Sequence, residues 1–166
     1  MASGNQLAAV GAQQNSPPSS SFAVFDVNND RLVLSFAPTA DEAAFFLLRL
    51  PGHYSGGGIT VSIVFTTPAG GSTTGNQVWG ATFKRLQDDT DNMGSTGFAT
   101  EKTVTSAAPG TAEVVQYATI TFSDGSEIDN IAVNEAFLLR IRRLGADAGD
   151  TNSAAGLFIS GQMRET

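Results

Sequence analysis

Two clusters of oxygen-bearing side chains are the parts of this chain best suited to chemistry. Residues 88–92 read DDTDN, and residues 147–152 read DAGDTN. Carboxylate and amide oxygens are the ligands that Ca²⁺ prefers, but neither spacing matches the loop of an EF-hand. Polar turns rich in Asp and Asn are also common between strands. The sequence therefore favours a solvated acidic turn over a metal site in both places.

Other catalytic arrangements are weaker still. Glu127 and Asp129 are close in sequence, but alternate residues of one short segment seldom provide the opposed carboxylates of a glycosidase. His53 is the single histidine and lies in a Pro-Gly turn, without partners for a triad or a zinc site. No nucleophile-elbow or phosphate-loop motif occurs. We therefore predict no catalytic residues, no cofactor, no metal and no enzymatic activity.

Aromatic side chains give the chain a second possible chemistry, which is stacking on sugar rings. Trp79, Phe83, Tyr54 and Tyr117 are the residues that we consider for this role. Trp79 and Phe83 alternate with polar residues and share a face with Ala81, which is more typical of a hydrophobic core. Sugar stacking therefore stays open as an alternative to core packing.

Composition narrows the possible partners. The chain has 166 residues, which suits one domain, and a formal net charge of −7. An acidic surface repels nucleic-acid phosphates and anionic membranes, so neither is expected as a partner. There is no cysteine, which excludes disulfides and thiolate chemistry. With neither a long apolar run nor the basic start of a signal peptide, we expect assembly in the cytoplasm of a cell.

The elements that position these residues are short strands. Apolar residues alternate with polar ones over 59–66, 79–84, 114–122 and 137–142, and Gly, Pro, Asn and Asp mark turns between such runs. Eight or nine strands and no βαβ pattern predict an all-β protein, a single antiparallel jelly-roll β-sandwich. Residues 1–20 are polar with Pro and Ser and predict a flexible N-terminal arm, which leaves 21–166 as the domain.

One predicted strand is apolar on both of its faces. Residues 43–50 read AAFFLLRL, so Phe45 and Leu47 share one face while Phe46 and Leu48 share the other. An exposed apolar stripe usually marks an interface. Phe45 and Leu47 are therefore the candidate interface residues of a homo-oligomer. The alternative is a loop or the N-terminal arm that covers the stripe.

Several stretches resemble small virion proteins of tailed bacteriophages. The stretches that carry this resemblance are FAPTADEAA (36–44), LPGHYSGGGITV (50–61), WGATFKRL (79–86), EAFLLRIRR (135–143), DAGDT (147–151) and RET (164–166). Together they span most of residues 30–166. The first 20 residues lie outside the resemblance.

The resemblance implies a jelly-roll protein on the outer surface of a phage head. Its role would be that of a decoration or cement protein, a trimer that binds the major capsid protein and joins neighbouring capsid subunits. Many weak contacts made together would make such a clamp hard to release. The alternative is a jelly-roll module of a phage tail or fibre that binds host carbohydrate or another receptor. The resemblance implies no catalytic residue.

Overall fold

The computed structural model describes residues 4–92 and 97–166, and these residues form ten β-strands. The strands are β1 Gln6–Gly11, β2 Val24–Asn28, β3 Arg31–Phe36, β4 Asp41–Arg49, β5 Ile59–Thr66, β6 Asn76–Leu86, β7 Lys102–Ala107, β8 Gln116–Phe122, β9 Ala136–Leu144 and β10 Gly156–Glu165. Two short 3-10 turns, Ala12–Gln14 and Ser126–Ile128, complete the regular structure of this part of the chain. None of its helical segments is suited to span a bilayer.

The strands form two antiparallel sheets. The larger sheet has the order β2-β3-β10-β5-β8, and β1 pairs with the part of β10 that β3 leaves free. The smaller sheet has the order β4-β9-β6-β7. Both sheets mix strands from distant parts of the chain, as in a jelly roll. The prediction of an all-β jelly-roll sandwich is confirmed.

The core lies between the two sheets and follows the predicted alternation. Ile59, Val61, Ile63 and Phe65 on β5 are fully buried, whereas the residues between them are partly exposed. Trp79 from the smaller sheet lies among these side chains, with its ring 5.2 Å from that of Phe65. Trp79 is itself fully buried. It is therefore a core residue and cannot stack on a sugar from solvent.

The N-terminal segment differs from its prediction. Residues 6–11 form β1, which pairs with β10, and Leu7 and Val10 are buried in the core. The segment then crosses to the smaller sheet, where Asn15 Oδ1 accepts a hydrogen bond from Phe45 N at 3.0 Å. The predicted boundary at residue 21 is wrong for these residues, which belong to the sandwich. The physical reason is that the free edge of β10 needs backbone partners, and β1 provides them.

Candidate functional site

The second acidic cluster is a solvated turn only in part, because Asp147 is exposed whereas the side chain of Asp150 is buried. Arg143 is fully buried, and its Nε and Nη2 donate to Asp150 at 2.9 and 2.8 Å. Its remaining donors reach the carbonyl oxygens of Ala154 at 2.6 Å and Asn152 at 2.8 Å. A buried charge requires such pairing because desolvation costs several kcal/mol per ion. The prediction for residues 147–152 is corrected at Asp150, whose side chain is buried and holds Arg143, which leaves it no free oxygen for a ligand.

The other residues considered for chemistry bind different partners. Lys102 donates to Glu127 Oε2 at 2.6 Å, and this hydrogen bond lowers the pKa of Glu127 below its ordinary value. Asp129 instead accepts a hydrogen bond from Arg85 N at 2.7 Å. His53 is exposed in its turn, with Nε2 3.2 Å from Gln6 O. Within residues 4–92 and 97–166, no group of three or more His, Cys, Asp or Glu side chains is arranged to hold a metal ion.

Tyr117 presents an aromatic ring to solvent. Its side chain is 62% exposed and lies on the outer face of the larger sheet, next to Val64 on β5. Farther along the same face, Thr119 is paired with Ser62. The ring therefore stands at one end of a row of hydroxyl side chains, on an open and rigid sheet surface.

A groove lies beside Tyr117 on this same face. It encloses about 280 Å³, and its lining combines apolar and polar side chains. The lining residues are Asn28, Asn29, Arg31, Val33, Thr66, Glu113, Val115 and Ile159. Val115 belongs to the lining and precedes Tyr117 by two residues, so the groove and the exposed ring are adjacent. We call this surface the tyrosine groove.

One wall of the tyrosine groove depends on unusual backbone geometry. Asn29 and Asp30 both have positive φ, at 48° and 61°, as a tight primed hairpin turn between β2 and β3 requires. Glu113 on the facing loop also has a positive φ of 66°. Asn29 Nδ2 donates to Glu113 Oε1 at 2.5 Å. This contact ties the hairpin to the loop and fixes the width of the groove.

A second groove lies on the outer face of the smaller sheet. It encloses about 350 Å³ between β4, β9 and the segment that precedes β2. The lining residues are Pro18, Ser20, Ser21, Asp41, Ala43, Phe45, Arg140 and Arg142. The ring of Phe98 lies 5.4 Å from that of Phe45 and 4.5 Å from Arg140 Cζ. We call this surface the arginine groove.

The two candidate interface residues lie on this outer face but in different surroundings. Phe45 lines the arginine groove and is partly covered by Phe98. Leu47 is 58% exposed. Both residues thus share a face, as the sequence indicates, and their role in an interface stays a prediction.

A third depression lies at one end of the sandwich, around Tyr54 and Asp124. The Tyr54 hydroxyl donates to Asp124 Oδ1 at 2.7 Å and accepts a hydrogen bond from Gly58 N at 3.1 Å. Burial of the ring and the bond to Asp124 raise the pKa of Tyr54 above its ordinary value. Because its hydroxyl is engaged, Tyr54 is less available to a ligand than Tyr117.

Sequence reasoning missed the polar wall of the tyrosine groove. The Asn28-Asn29-Asp30 stretch is recognisable as a turn, but nothing local indicates that Glu113 faces it from 84 residues away. Tyr117 was considered from sequence, whereas Arg31 and Glu113 were not. A contact between two loops of this separation leaves no periodic signal in a single sequence.

Comparisons with family models and with curated protein sequences found no match. Solved structures do resemble this chain. The CBM22-1 xylan-binding domain of Paenibacillus barcinonensis aligns over 98% of this chain and 95% of its own, with 14% identity and a TM-score of 0.53. A carbohydrate binding module from Cellvibrio mixtus lichenase 5A, solved with cellotriose, aligns over 98% and 99%, with 13% identity and a TM-score of 0.53.

The xylan-binding module CBM15 also resembles this chain in structure. It aligns over 96% of this chain and 97% of its own, with 11% identity and a TM-score of 0.54. Identities this low establish the likeness of the fold alone, an antiparallel jelly-roll sandwich. A function does not follow from the fold by itself, so it must be argued from the site.

Proposed function

We propose that this chain is a non-catalytic carbohydrate-binding module and that glycan binds at the tyrosine groove. The observation that carries this proposal is the 62% exposed ring of Tyr117 beside a groove with mixed lining. Sugars present apolar C–H faces and hydroxyl edges, so they require an aromatic or apolar surface next to hydrogen-bonding groups. Small-molecule sites in general combine a mostly apolar lining with a few polar groups that set orientation.

The lining provides both kinds of contact. Val33, Val115 and Ile159 supply apolar surface, and Tyr117 supplies a ring face. The amides of Asn28 and Asn29, the guanidinium of Arg31 and the free oxygen of Glu113 can hydrogen-bond with sugar hydroxyls. The small volume fits a short oligosaccharide segment rather than a long polymer stretch. The proposal of glycan binding is also supported by the likeness in fold to modules whose names state xylan or carbohydrate binding.

Glycan binding by the purified chain tests the proposal. An array that includes xylan, cello-oligosaccharides and bacterial surface glycans identifies a ligand, and calorimetry then gives its Kd. Tyr117→Ala should weaken binding at least about tenfold, which corresponds to about 1.4 kcal/mol. Thr121→Ala, an exposed change on the same strand face, is the control and should leave the Kd unchanged. Failure to bind any glycan overturns the proposal, and an unaltered Kd in Tyr117→Ala removes the site from this groove.

A structural role on a phage particle is the second candidate function, and exposed apolar side chains favour it. At the edge of the larger sheet, β2 presents Val24, Phe25 and Val27 to solvent, with Val27 64% exposed. Exposed apolar surface of this kind usually marks a protein interface. In this reading the chain is a trimeric head decoration protein that binds the major capsid protein through such surfaces.

The two functions differ in location and copy number on a particle. A cryo-electron microscopy reconstruction of a particle that carries this chain should show density across the head shell if the chain is a decoration protein. A few to tens of copies on the tail or fibres would contradict that role. Such a location would agree with a glycan-binding module of the adsorption apparatus.

A further inference from the structure

Three of the four buried or partly buried arginines in the described part of the chain have well-satisfied guanidinium groups. Arg143 makes four hydrogen bonds to oxygens of the loop that follows it. Arg85 binds Glu135 through two nitrogens, each at 2.7 Å. Arg142 donates to Glu101 at 3.0 Å and to Asp41 at 2.9 Å. These pairings are what partial burial of a guanidinium requires.

Arg140 is different. Its side chain is 23% exposed, yet its one hydrogen bond to the described residues is from Nη2 to Glu101 Oε1, at the long distance of 3.4 Å. Its Nε is buried and has no hydrogen-bond partner among residues 4–92 and 97–166. Burial lowers the pKa of Arg140, and the adjacent charge of Arg142 acts in the same direction. A guanidinium has five N–H donors, so most of the donor capacity of Arg140 is not used by the part of the chain that the structure describes.

The surroundings of Arg140 supply further free donors. Ser20 and Ser21 line the same groove, and their hydroxyls make no hydrogen bond within the described residues. The wall that carries them is held in place, because Ala43 N donates to Ser21 O at 2.9 Å. Phe98 covers the guanidinium plane at 4.5 Å, which shields the cation from water on that side.

The carboxylate in the groove does not compete for these donors. Asp41 Oδ2 accepts from Arg142 at 2.9 Å, and Asp41 Oδ1 accepts from Ala146 N at 3.1 Å. Both oxygens of Asp41 are therefore engaged. Glu101 gives its shorter contact to Arg142 rather than to Arg140. Of the two arginines that line this groove, Arg140 thus has the longer and weaker ion pair.

We propose that the arginine groove binds an oxyanion of a small ligand, with Arg140 as the cationic donor and Ser20 and Ser21 as hydroxyl donors. A guanidinium presents paired N–H groups that match the two oxygens of a carboxylate. The ligand class is therefore a carboxylate, such as that of a sugar acid, or a tetrahedral oxyanion of similar size. This site lies on the opposite sheet from the tyrosine groove and does not depend on glycan binding there.

Side-chain NMR of the unmodified protein tests the site directly. The chain has seven arginines, and each Nε–H gives its own signal once assigned. Sodium glucuronate, sodium acetate and sodium sulfate are titrated separately, with sodium chloride at matched ionic strength as the reference. The Arg140 Nε–H signal should shift in a saturable manner, whereas that of Arg49, which already donates to Asn134 O, should not.

Two variants complete the test. Arg140→Lys keeps the charge but removes the paired donors, so it should weaken binding about tenfold, read from the shift of neighbouring backbone amides. Ser21→Ala should weaken it less. A response to glucuronate and acetate alone identifies a carboxylate site, and a response to sulfate alone identifies a tetrahedral one; both support the proposal. An Arg140 signal that follows the chloride reference in all three titrations overturns it, even if Arg140→Lys fails to fold.

Discussion

At the scale of single residues, Arg143 and Asp150 form the one salt bridge between described residues in which both side chains are fully buried. Both side chains are fully buried and meet through two hydrogen bonds of 2.8 and 2.9 Å. Removing one partner leaves an uncompensated charge in a medium that solvates it poorly. The pair joins the end of β9 to the loop before β10. It therefore also holds in place the start of β10, the central strand of the larger sheet.

Asp150→Asn should therefore lower the free energy of unfolding by about 3–5 kcal/mol. The measurement is urea denaturation at neutral pH. Asp88→Asn, in the exposed part of the other acidic cluster, is the control and should change stability by less than about 0.5 kcal/mol. Equal effects of the two variants would show that the Arg143 pair contributes nothing specific.

Glu165 makes stability depend on pH. Its Oε1 accepts hydrogen bonds from the hydroxyl and the backbone N–H of Ser55, at 2.5 and 2.7 Å. The Ser55 hydroxyl bond is the main cause that lowers the pKa of Glu165 below its ordinary value. Because the folded pKa lies below the unfolded one, this contribution is present above the unfolded pKa and is lost as pH falls through the folded pKa.

Wild-type stability should therefore fall on acidification below pH about 4, and Glu165→Gln should remove part of that fall. Denaturation midpoints measured between neutral pH and the acid range give the comparison. Ser55→Ala deletes the hydroxyl donor and so brings the folded pKa of Glu165 closer to the unfolded one; the loss of stability on acidification should therefore be smaller than in the wild type and should level off at higher pH. Identical pH profiles for wild type and Glu165→Gln would exclude this role for the carboxylate.

At the scale of elements, β1 is an integral strand. It pairs with β10, and Leu7 and Val10 reach the core. Leu7→Ala should lower the free energy of unfolding by about 2 kcal/mol, at the lower end for such truncations because Leu7 lies near the edge of the core. Chemical denaturation measures the change. Ala9→Ser is the control because Ala9 faces solvent. If both changes had a similarly small effect, β1 would not contribute to the stability of the core.

The strand β6 shows how a covering segment alters a predicted face. Thr82 and Lys84 alternate with core residues and read as a solvent-facing pair, yet both are buried. The segment that follows the loop after β6 lies over them: Ala99 N donates to Phe83 O at 2.8 Å, and the Thr82 hydroxyl donates to Ala99 O at 2.7 Å. The direction of each side chain is as predicted, whereas its burial depends on a second piece of chain.

At the scale of the whole molecule, the outer face of the smaller sheet is a candidate surface for self-association. Phe45 packs on Phe98, so changing Phe45 would disturb the protomer as well as any interface. Leu47 is more exposed and gives a cleaner test. Leu47→Asp should yield a folded protomer-sized species in analytical ultracentrifugation if this face mediates a homotrimer.

Thr105→Asp, on the exposed part of β7 in the same sheet, is the matched control and should leave the mass unchanged. If Leu47→Asp also leaves an oligomeric mass unchanged, the contact between copies lies elsewhere. The apolar edge strand β2 would then be the next surface to change. A wild-type protein that is already monomeric would contradict the predicted homotrimer.

Period-two alternation made much of the fold predictable. It placed Ile59, Val61, Ile63 and Phe65 in the core and gave the all-β class, because which side of a strand a residue faces follows from its position in the chain. It also directed Arg140 outward from β9. The pattern failed for Leu7 and Val10, because a short apolar run in a polar segment does not reveal that a sheet edge is free to receive it.

What the sequence determined by itself is therefore local: the strands, their buried faces, the turns and the acidic, cysteine-free composition. Only the tertiary structure decided that Asp150 is held by a buried Arg143, that Asn29 meets Glu113 across 84 residues, and that the buried Arg140 Nε finds no partner among the described residues. The physical reason is that these properties arise from contacts between segments distant in sequence. Such contacts depend on how sheets and loops pack together, and this packing leaves no periodic trace in one chain.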